Sequence, residues 1–296
     1  MTRIPVIMIT VFLLSFLLSC GNRSGRQNEG LRIISLSPNI TEIIYDLGAD
    51  SELVGVTDFC RYPPEVRNKE HIGGLIDPNI EKIIALKPNC LFGIPAHSEL
   101  NKKLGEFGLK IHMYPNETWH DMLLTVDSVA AVTGRRKAGR ELIRRLNFSM
   151  DSLNRTKPEN APGVMVLIGH EPGSLRNATV TGPNTFISEM LDAAGGRNIY
   201  DDLQMRYGTV NIESMLARNP DLIIDLKIDV FHEIRRTAGE QTWSAIRGTS
   251  AAQRKNIFSV SGNYTLIPGP RMLLLAEDFR AVIDSLKEAG ERQDKR

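Results

Sequence analysis

The sequence predicts an α/β protein of two lobes, each a sheet covered by helices, bridged by a long rigid helix. Three observations carry that prediction. Short apolar runs alternate with amphipathic ones from Leu31 to Tyr114 and again from Val164 to the closing segment, the pattern of a parallel sheet with helical crossovers. Between them, residues 117–153 hold no strand candidate, only two amphipathic stretches. And one phrase occurs twice: Asn79–Phe92 reads NIEKIIALKPNCLF, and Asn211–Ile224 reads NIESMLARNPDLII.

The elements follow in order. A basic start, Met1–Arg3, precedes the apolar run IPVIMITVFLLSFLL and then Ser19-Cys20. Residues 1–19 read as an export signal. LLSC matches the bacterial lipobox, so Cys20 is expected to carry lipid as the first mature residue, with residues 20–30 a flexible polar tether. The first lobe is expected over 31–118. There RIISLS, ELVGV, CLFGI and LKIHMY are strands. PNITEIIYDLG (stopped by Gly48), IEKIIALK (ended before Pro88) and ELNKKLGEFG are helices. Bridging helices fill 119–160. TWHDMLLTVDSVAAVTG breaks at Thr133-Gly134, and a longer helix follows with Leu142, Ile143, Leu146 and Met150 at helical spacing. The second lobe, 161–290, reads VMVLIG, DLIIDL and NIFSV as strands. Its helices are NTFISEMLDAAGG, IESMLARN and the closing RMLLLAEDFRAVIDSLKEAG, and 291–296 is a frayed tail.

Composition narrows the function. Of 296 residues, 42% are hydrophobic and 24% charged, with a formal net charge of +1. That gives core material enough, and no basic footprint for a nucleic-acid partner. The chain lacks G-x-G-x-x-G, the P-loop, G-x-S-x-G and H-E-x-x-H, and its six histidines are scattered; no enzyme activity is expected. An export route permits a disulfide between Cys60 and Cys90. However, Cys60 follows one strand and Cys90 opens another, so parallel pairing puts them at opposite ends of the sheet, and two buried free thiols are expected.

The repeated phrase keeps a constant offset of 132 positions, with Glu81 matching Glu213. Helices in α/β proteins often start with Asn and an early Glu, which explains either copy alone; two copies at equivalent places suggest duplicated architecture. Two carboxylates held far apart on a stiff frame cannot form an acid/base pair, which needs them within about 10 Å. They can serve as docking points for a two-fold partner carrying arginines.

Taken together, RIISLSPNITEIIYDLGADSELVGVTDFCRYPPE, IGGLIDPNIEKIIALKPNCLF and the second-lobe IESMLARNPDLII resemble the class III periplasmic binding proteins of ABC importers, which carry cobalamin, haem and ferric siderophores. The likeness is strongest to the cobalamin-binding member and spans Leu31 to about Ala289. It implies two Rossmann-like lobes of the helical-backbone metal receptor type, with no covalent cofactor. It also implies a corrinoid or other metal chelate as ligand, and a lipid-anchored position in the cell envelope. A permease dimer with its ATPase subunits would be met through Glu81 and Glu213. Two tryptophan positions of that member align with Leu75 and Ile94, a third with Tyr207, while Tyr62 is retained.

Ligands of open α/β sheets sit beyond the carboxyl ends of the strands. That rule selects Phe59 and Tyr62 after the second strand, His97 after CLFGI, His170 after VMVLIG, Tyr264 and Arg271 after the last strand, and Tyr207 before the second copy of the phrase. The aromatics would stack on a flat macrocycle. Arg271 would meet a carboxylate or phosphate, or else mark a helix start. The two imidazoles would ligate metal, or else hydrogen-bond within the protein.

Overall fold

A computed structural model describes residues 30–155, 157 and 161–294. The export signal, Cys20 and the tether through residue 29 lie outside the described residues. Ile33 and Ile34, with no exposed surface, form the centre of β1 (Ile33–Ser35). It pairs in parallel with β2 (Leu53–Val56) on one side and β4 (Cys90–Gly93) on the other. Strands β3 (Glu70–His71) and β5 (Ile111–Met113) complete the order β3-β2-β1-β4-β5, all parallel. A parallel sheet covered on both faces needs continuous apolar runs, and β1 and β4 have them. Helices α1 (Pro38–Asp46), α2 (Ile80–Ala85) and α3 (Ser98–Gly105) cross over between strands.

Two helices then carry the chain to the second sheet. Helix α4 (Trp119–Val132) opens with a capping box: Thr118 accepts from the Asp121 N–H, and Asp121 accepts from the Thr118 N–H. The turn at Gly134, with φ +72°, leads into α5 (Arg136–Arg155). The two helices touch where Gly139 faces Ala130; a Cβ on Gly139 would stand 2.5 Å from that of Ala130.

The second sheet contains β6 (Gly163–Gly169), β10 (Leu222–Lys227) and β12 (Ile257–Ser261) as parallel neighbours. Four strands absent from the sequence reading join it, three of them, β7 (Ala178–Thr181), β9 (Tyr207–Val210) and β11 (Glu233–Arg236), antiparallel to their neighbours. A two-residue strand, β8 (Arg197–Asn198), pairs with β6. The second sheet is therefore mixed, not wholly parallel. Around it lie α6 (Phe186–Ala194), α7 (Ile212–Arg218), α8 (Ser250–Gln253) and the closing α9 (Met272–Asp294).

Arginines fasten the bridge at both ends. At the start of α5, Arg135 donates to the Gly48 carbonyl at 2.9 Å and to both Glu52 oxygens at 2.8 and 2.7 Å, on the first sheet's side. Near its far end, the Leu153 carbonyl accepts from Arg280 of α9 at 3.2 Å; Arg280 also donates to the Ala194 and Ala193 carbonyls at 2.7 and 3.1 Å. The first residue of α4 is tied too, its Trp119 N–H donating to Glu189 of α6 at 2.6 Å. Cys60 and Cys90 are free and buried, at opposite ends of the parallel strands as expected. Cys60 Sγ lies 3.1 Å from the Thr41 hydroxyl and 3.3 Å from that of Thr57.

Gly139→Val should destabilise the chain by roughly 1–3 kcal/mol, the usual cost of overpacking a tight contact, because the new side chain must push α4 from α5. Denaturant unfolding checks it; an unchanged midpoint would mean that the contact is not close-packed.

Candidate functional site

The carboxyl ends of the parallel strands of both sheets face one gap, which holds a cavity of about 400 Å³. From the first sheet come Ser37–Asn39 after β1, Phe59 and Tyr62 after β2, Leu75 after β3 and Ile94 after β4. In the strand order β1 and β4 run side by side while their chains continue in opposite directions, so the loops after them flank the sheet's switch point. From the second sheet come Ile228 after β10, and Asn263, Leu266 and Arg271 after β12.

Arg271 is the polar centre. Its Nη2 donates to Glu42 Oε1 at 2.6 Å and its Nε to Glu42 Oε2 at 3.1 Å, a bidentate pair. Its Nη1 donates to Asn263 Oδ1 at 2.6 Å. The guanidinium also lies over the Tyr62 ring, 3.8 Å from its centroid. Glu42 belongs to α1 on the first sheet, whereas Arg271 leads into the last helix of the second, so the pair joins the two walls. The Arg271 and Glu42 side chains are 14% and 3% exposed. Burial pushes the Glu42 carboxyl above its ordinary range, against the hydrogen bond and charge of Arg271.

The structure gathers some of the expected residues and redirects others. Phe59, Tyr62 and Arg271 line the cavity. Tyr264 stands behind Arg271, 5.7 Å from ring centroid to guanidinium, with its hydroxyl donating to Asp278 at 2.6 Å. It braces the arginine from a buried position and is not part of the cavity wall. Tyr207 lies in the outer strand β9, half-buried, and is not part of the wall either. Burial, with Glu117 beside it, pushes its phenol up to about 12.

Of the two alternatives open for the histidines, the structure shows hydrogen bonding within the protein. His97 is 1% exposed. Its Nδ1 accepts from the Ile94 N–H at 3.0 Å, which leaves Nε2 to donate to the Leu75 carbonyl at 2.7 Å. Burial holds its pKa below the ordinary value. The ring therefore staples two wall segments together and has no lone pair left for a metal. Gly93 makes room for it, since a Cβ there would stand 2.7 Å from Nδ1. His170 Nδ1 faces the Glu171 and Ser174 carbonyls at 2.9 and 3.0 Å, and Nε2 faces Asp225 Oδ2 at 3.2 Å. Every partner is an acceptor, an environment that favours the doubly protonated ring. Burial opposes that charge, but the carbonyls and Asp225 outweigh it and raise the pKa. Among the described residues, no three His, Cys, Asp or Glu side chains gather to hold a metal ion.

The doubled phrase has one local geometry in both places. Asn79 caps α2 by accepting from the Lys82 N–H at 2.9 Å, and Asn211 caps α7 by accepting from the Ser214 N–H at 2.9 Å. Glu81 and Glu213 each occupy the second helical position, exposed to solvent. Glu42 is the principal residue missing from the sequence reading. Its signal was a carboxylate inside the apolar ITEII stretch, in a helix whose residues 39–44 are all buried.

Comparison with known proteins adds five findings. A family model described as periplasmic binding protein matches residues 33–241. The chain is 27% identical over 244 residues to a vitamin B12-binding protein of Vibrio cholerae, covering 82% of this chain and 85% of that one. It is 24% identical to an uncharacterized ABC transporter substrate-binding lipoprotein of Bacillus subtilis, covering 88% and 83%. Among solved structures, the periplasmic vitamin B12 binding protein BtuF of Vibrio cholerae superposes with a TM-score of 0.71 at 25% identity, over 86% of this chain and 97% of that one. The periplasmic heme binding protein HutB of Vibrio cholerae shares the fold, with a TM-score of 0.73 at 23% identity over 86% and 98%.

Arg271→Leu should cost about 3–5 kcal/mol, because it strands a buried carboxylate. In the variant, protonation of Glu42 in the folded state relieves the strain. The deficit should therefore be small near the ordinary glutamate pKa of 4.5 and grow as pH rises above it. Adding Glu42→Gln should recover much of the loss. Denaturant titrations at several pH values check both; a pH-independent deficit would mean that Glu42 is not what the arginine satisfies.

Proposed function

Because the chain belongs to the periplasmic binding protein family, we propose that it is the substrate-binding component of an ABC importer and that it captures a corrinoid-class metal chelate in the cavity between its two sheets. The observation that carries this reading is the cavity itself. It lies at the carboxyl ends of both sheets, with apolar walls, an exposed aromatic pair in Phe59 and Tyr62, and one buried polar centre. Ligand sites of about 300–1,000 Å³ with few, well-placed polar groups are of this kind. A flat macrocycle against Tyr62 would gain about 0.5–1.5 kcal/mol from stacking beyond area burial. The vitamin B12-binding relatives named above support the corrinoid class.

A second ligand reading keeps the same role. Leu75 and Ile94 stand on the wall where the cobalamin-binding member is expected to carry tryptophan, and the volume of about 400 Å³ is small for a complete cobalamin. Both favour a smaller chelate, haem or a ferric siderophore.

The delivery step follows from the frame. Helices α4 and α5, tied to both sheets, resist a large hinge motion, so free and loaded forms should differ little. Glu81 and Glu213 would each meet an arginine of one permease subunit, and ATP-driven change in the permease would release the ligand. A lipid on Cys20 would hold the chain at the cell envelope.

Calorimetric titration of cyanocobalamin into the full chain in detergent, with haemin in parallel, tests the ligand class. Submicromolar one-to-one binding of cyanocobalamin is the expected result; haemin binding alone would shift the assignment to the smaller chelates, and binding of neither would remove both. Glu81→Ala with Glu213→Ala should abolish uptake in cells while leaving ligand affinity within a factor of about two. Normal uptake by the double variant would refute the docking role.

A further inference from the structure

Resting on the reading of the interlobe cavity as the ligand site, we propose that the loop between β10 and β11, residues 228–232, is an apolar lip of that site. Phe231 on this lip covers the part of the bound chelate that the cavity does not enclose. It is a specificity-determining residue of the second lobe, the counterpart of Phe59 and Tyr62 on the first.

The topology puts the loop on the cleft side. In the strand order β12 lies between β10 and β11, so the chain crosses over an end of β12 to pass from one to the other. It leaves β10 after Lys227 and enters the antiparallel β11 at Glu233, which pairs with Ser261, the last residue of β12. The crossing is therefore over the carboxyl end of β12, the end from which the chain runs on to Asn263 and Arg271 in the cavity wall. Ile228, the first residue of the loop, is itself part of that wall. Phe231 is three residues further on, its Cα at most about 11 Å from that of Ile228 by chain length.

Exposure marks this loop out. Ile228, Val230 and Phe231 are 57%, 59% and 77% exposed, and Phe231 is the most exposed large apolar side chain among the described residues. On the first lobe, Phe59 in the cavity wall and Ile76, next to the wall residue Leu75, are also exposed. Scattered exposed apolar residues need no explanation, but a group of them at the mouth of a cavity marks a binding surface. Phe148 of α5, at 66% exposure, is of the scattered kind: its helical neighbours are Arg144, Arg145 and Asp151.

The main chain of the loop is held while these side chains stay in water. The Asp229 N–H donates to the Gly262 carbonyl at 3.4 Å, and the Ser261 hydroxyl donates to the Phe231 carbonyl at 3.3 Å. Asp229 Oδ1 accepts from the Val230 and Phe231 N–H groups at 2.6 and 3.3 Å. His232 Nε2 meets Asp278 at 2.9 Å, the same carboxylate that receives the Tyr264 hydroxyl behind Arg271. A fixed backbone with unburied apolar side chains has the form of a preorganised contact. Size identifies the occupant. The cavity of about 400 Å³ is small for a complete cobalamin, so the macrocycle projects past the walls, and its flat face is what an aromatic lip covers.

The test uses the full chain in detergent, with cyanocobalamin and haemin as probes. Phe231→Ala should weaken the probe that binds by roughly ten- to a hundredfold, the range for burying one large apolar side chain. Phe231→Trp should keep or strengthen that binding. Because the side chain is so exposed, the ligand-free Phe231→Ala chain should unfold at an unchanged denaturant midpoint. Phe148→Ala, the control, should alter neither affinity nor midpoint. Unchanged affinity in Phe231→Ala, or an equal loss in Phe148→Ala, would overturn the lip. Unchanged affinity together with lost uptake in cells would also overturn it, and would assign the loop to the permease. If the unaltered chain binds neither probe, the chelate reading fails and the lip falls with it, an outcome distinct from tight binding that ignores Phe231.

Discussion

The ion pair between Glu42 and Arg271 sets the terms for the rest of the molecule. Both groups are withdrawn from water, and removing two charges from solvent costs several kcal/mol per ion before any attraction is counted. The geometry offsets that cost with two parallel hydrogen bonds, a third to Asn263, and a ring under the guanidinium. Satisfying one arginine therefore specifies where α1, the Tyr62 loop and the start of α9 must stand relative to one another. A shift of either wall would leave a charge buried without its partner. The width of the cleft is in this sense an electrostatic quantity.

The parts of the fold that could be read from sequence are those where local pattern and burial agree. Strands β1, β4, β6, β10 and β12 are nearly unbroken apolar runs because they are covered on both faces, and such runs have few other places to go. Strands β7, β9 and β11 are four residues each, read ATVT, YGTV and EIRR, and owe their pairing to neighbours already in place. Nothing in their composition announces them. The same division holds in the site. Position after a strand end was enough to find Phe59, Tyr62 and Arg271. It could not choose between the two readings of His97 and His170, whose roles depend on which acceptors and donors surround each ring nitrogen. Those partners lie up to 55 positions away in the chain.

The doubled phrase illustrates a related economy. Asn79 and Asn211 solve one problem, an unsatisfied N–H at a helix start, with one side-chain geometry. The lobes around them differ, one sheet wholly parallel and the other extended by antiparallel strands. What stays alike is the helix start and the exposed glutamate after it, while the strands and the cleft walls differ. The two lobes thus share an outward feature more closely than an inward one.

The arginines at the ends of α5 carry a consequence for how this chain can change over generations. Arg280 is held by the main-chain carbonyls of Leu153, Ala193 and Ala194, and Arg135 partly by that of Gly48. A carbonyl is present whatever side chain a codon specifies. Substitution at the accepting positions leaves these fastenings intact as long as the helices keep their path, so the alignment of the two halves rests on very few inherited side chains. Cleft-lining residues such as Leu75 and Ile94 are free to drift without loosening the frame that holds them opposite one another.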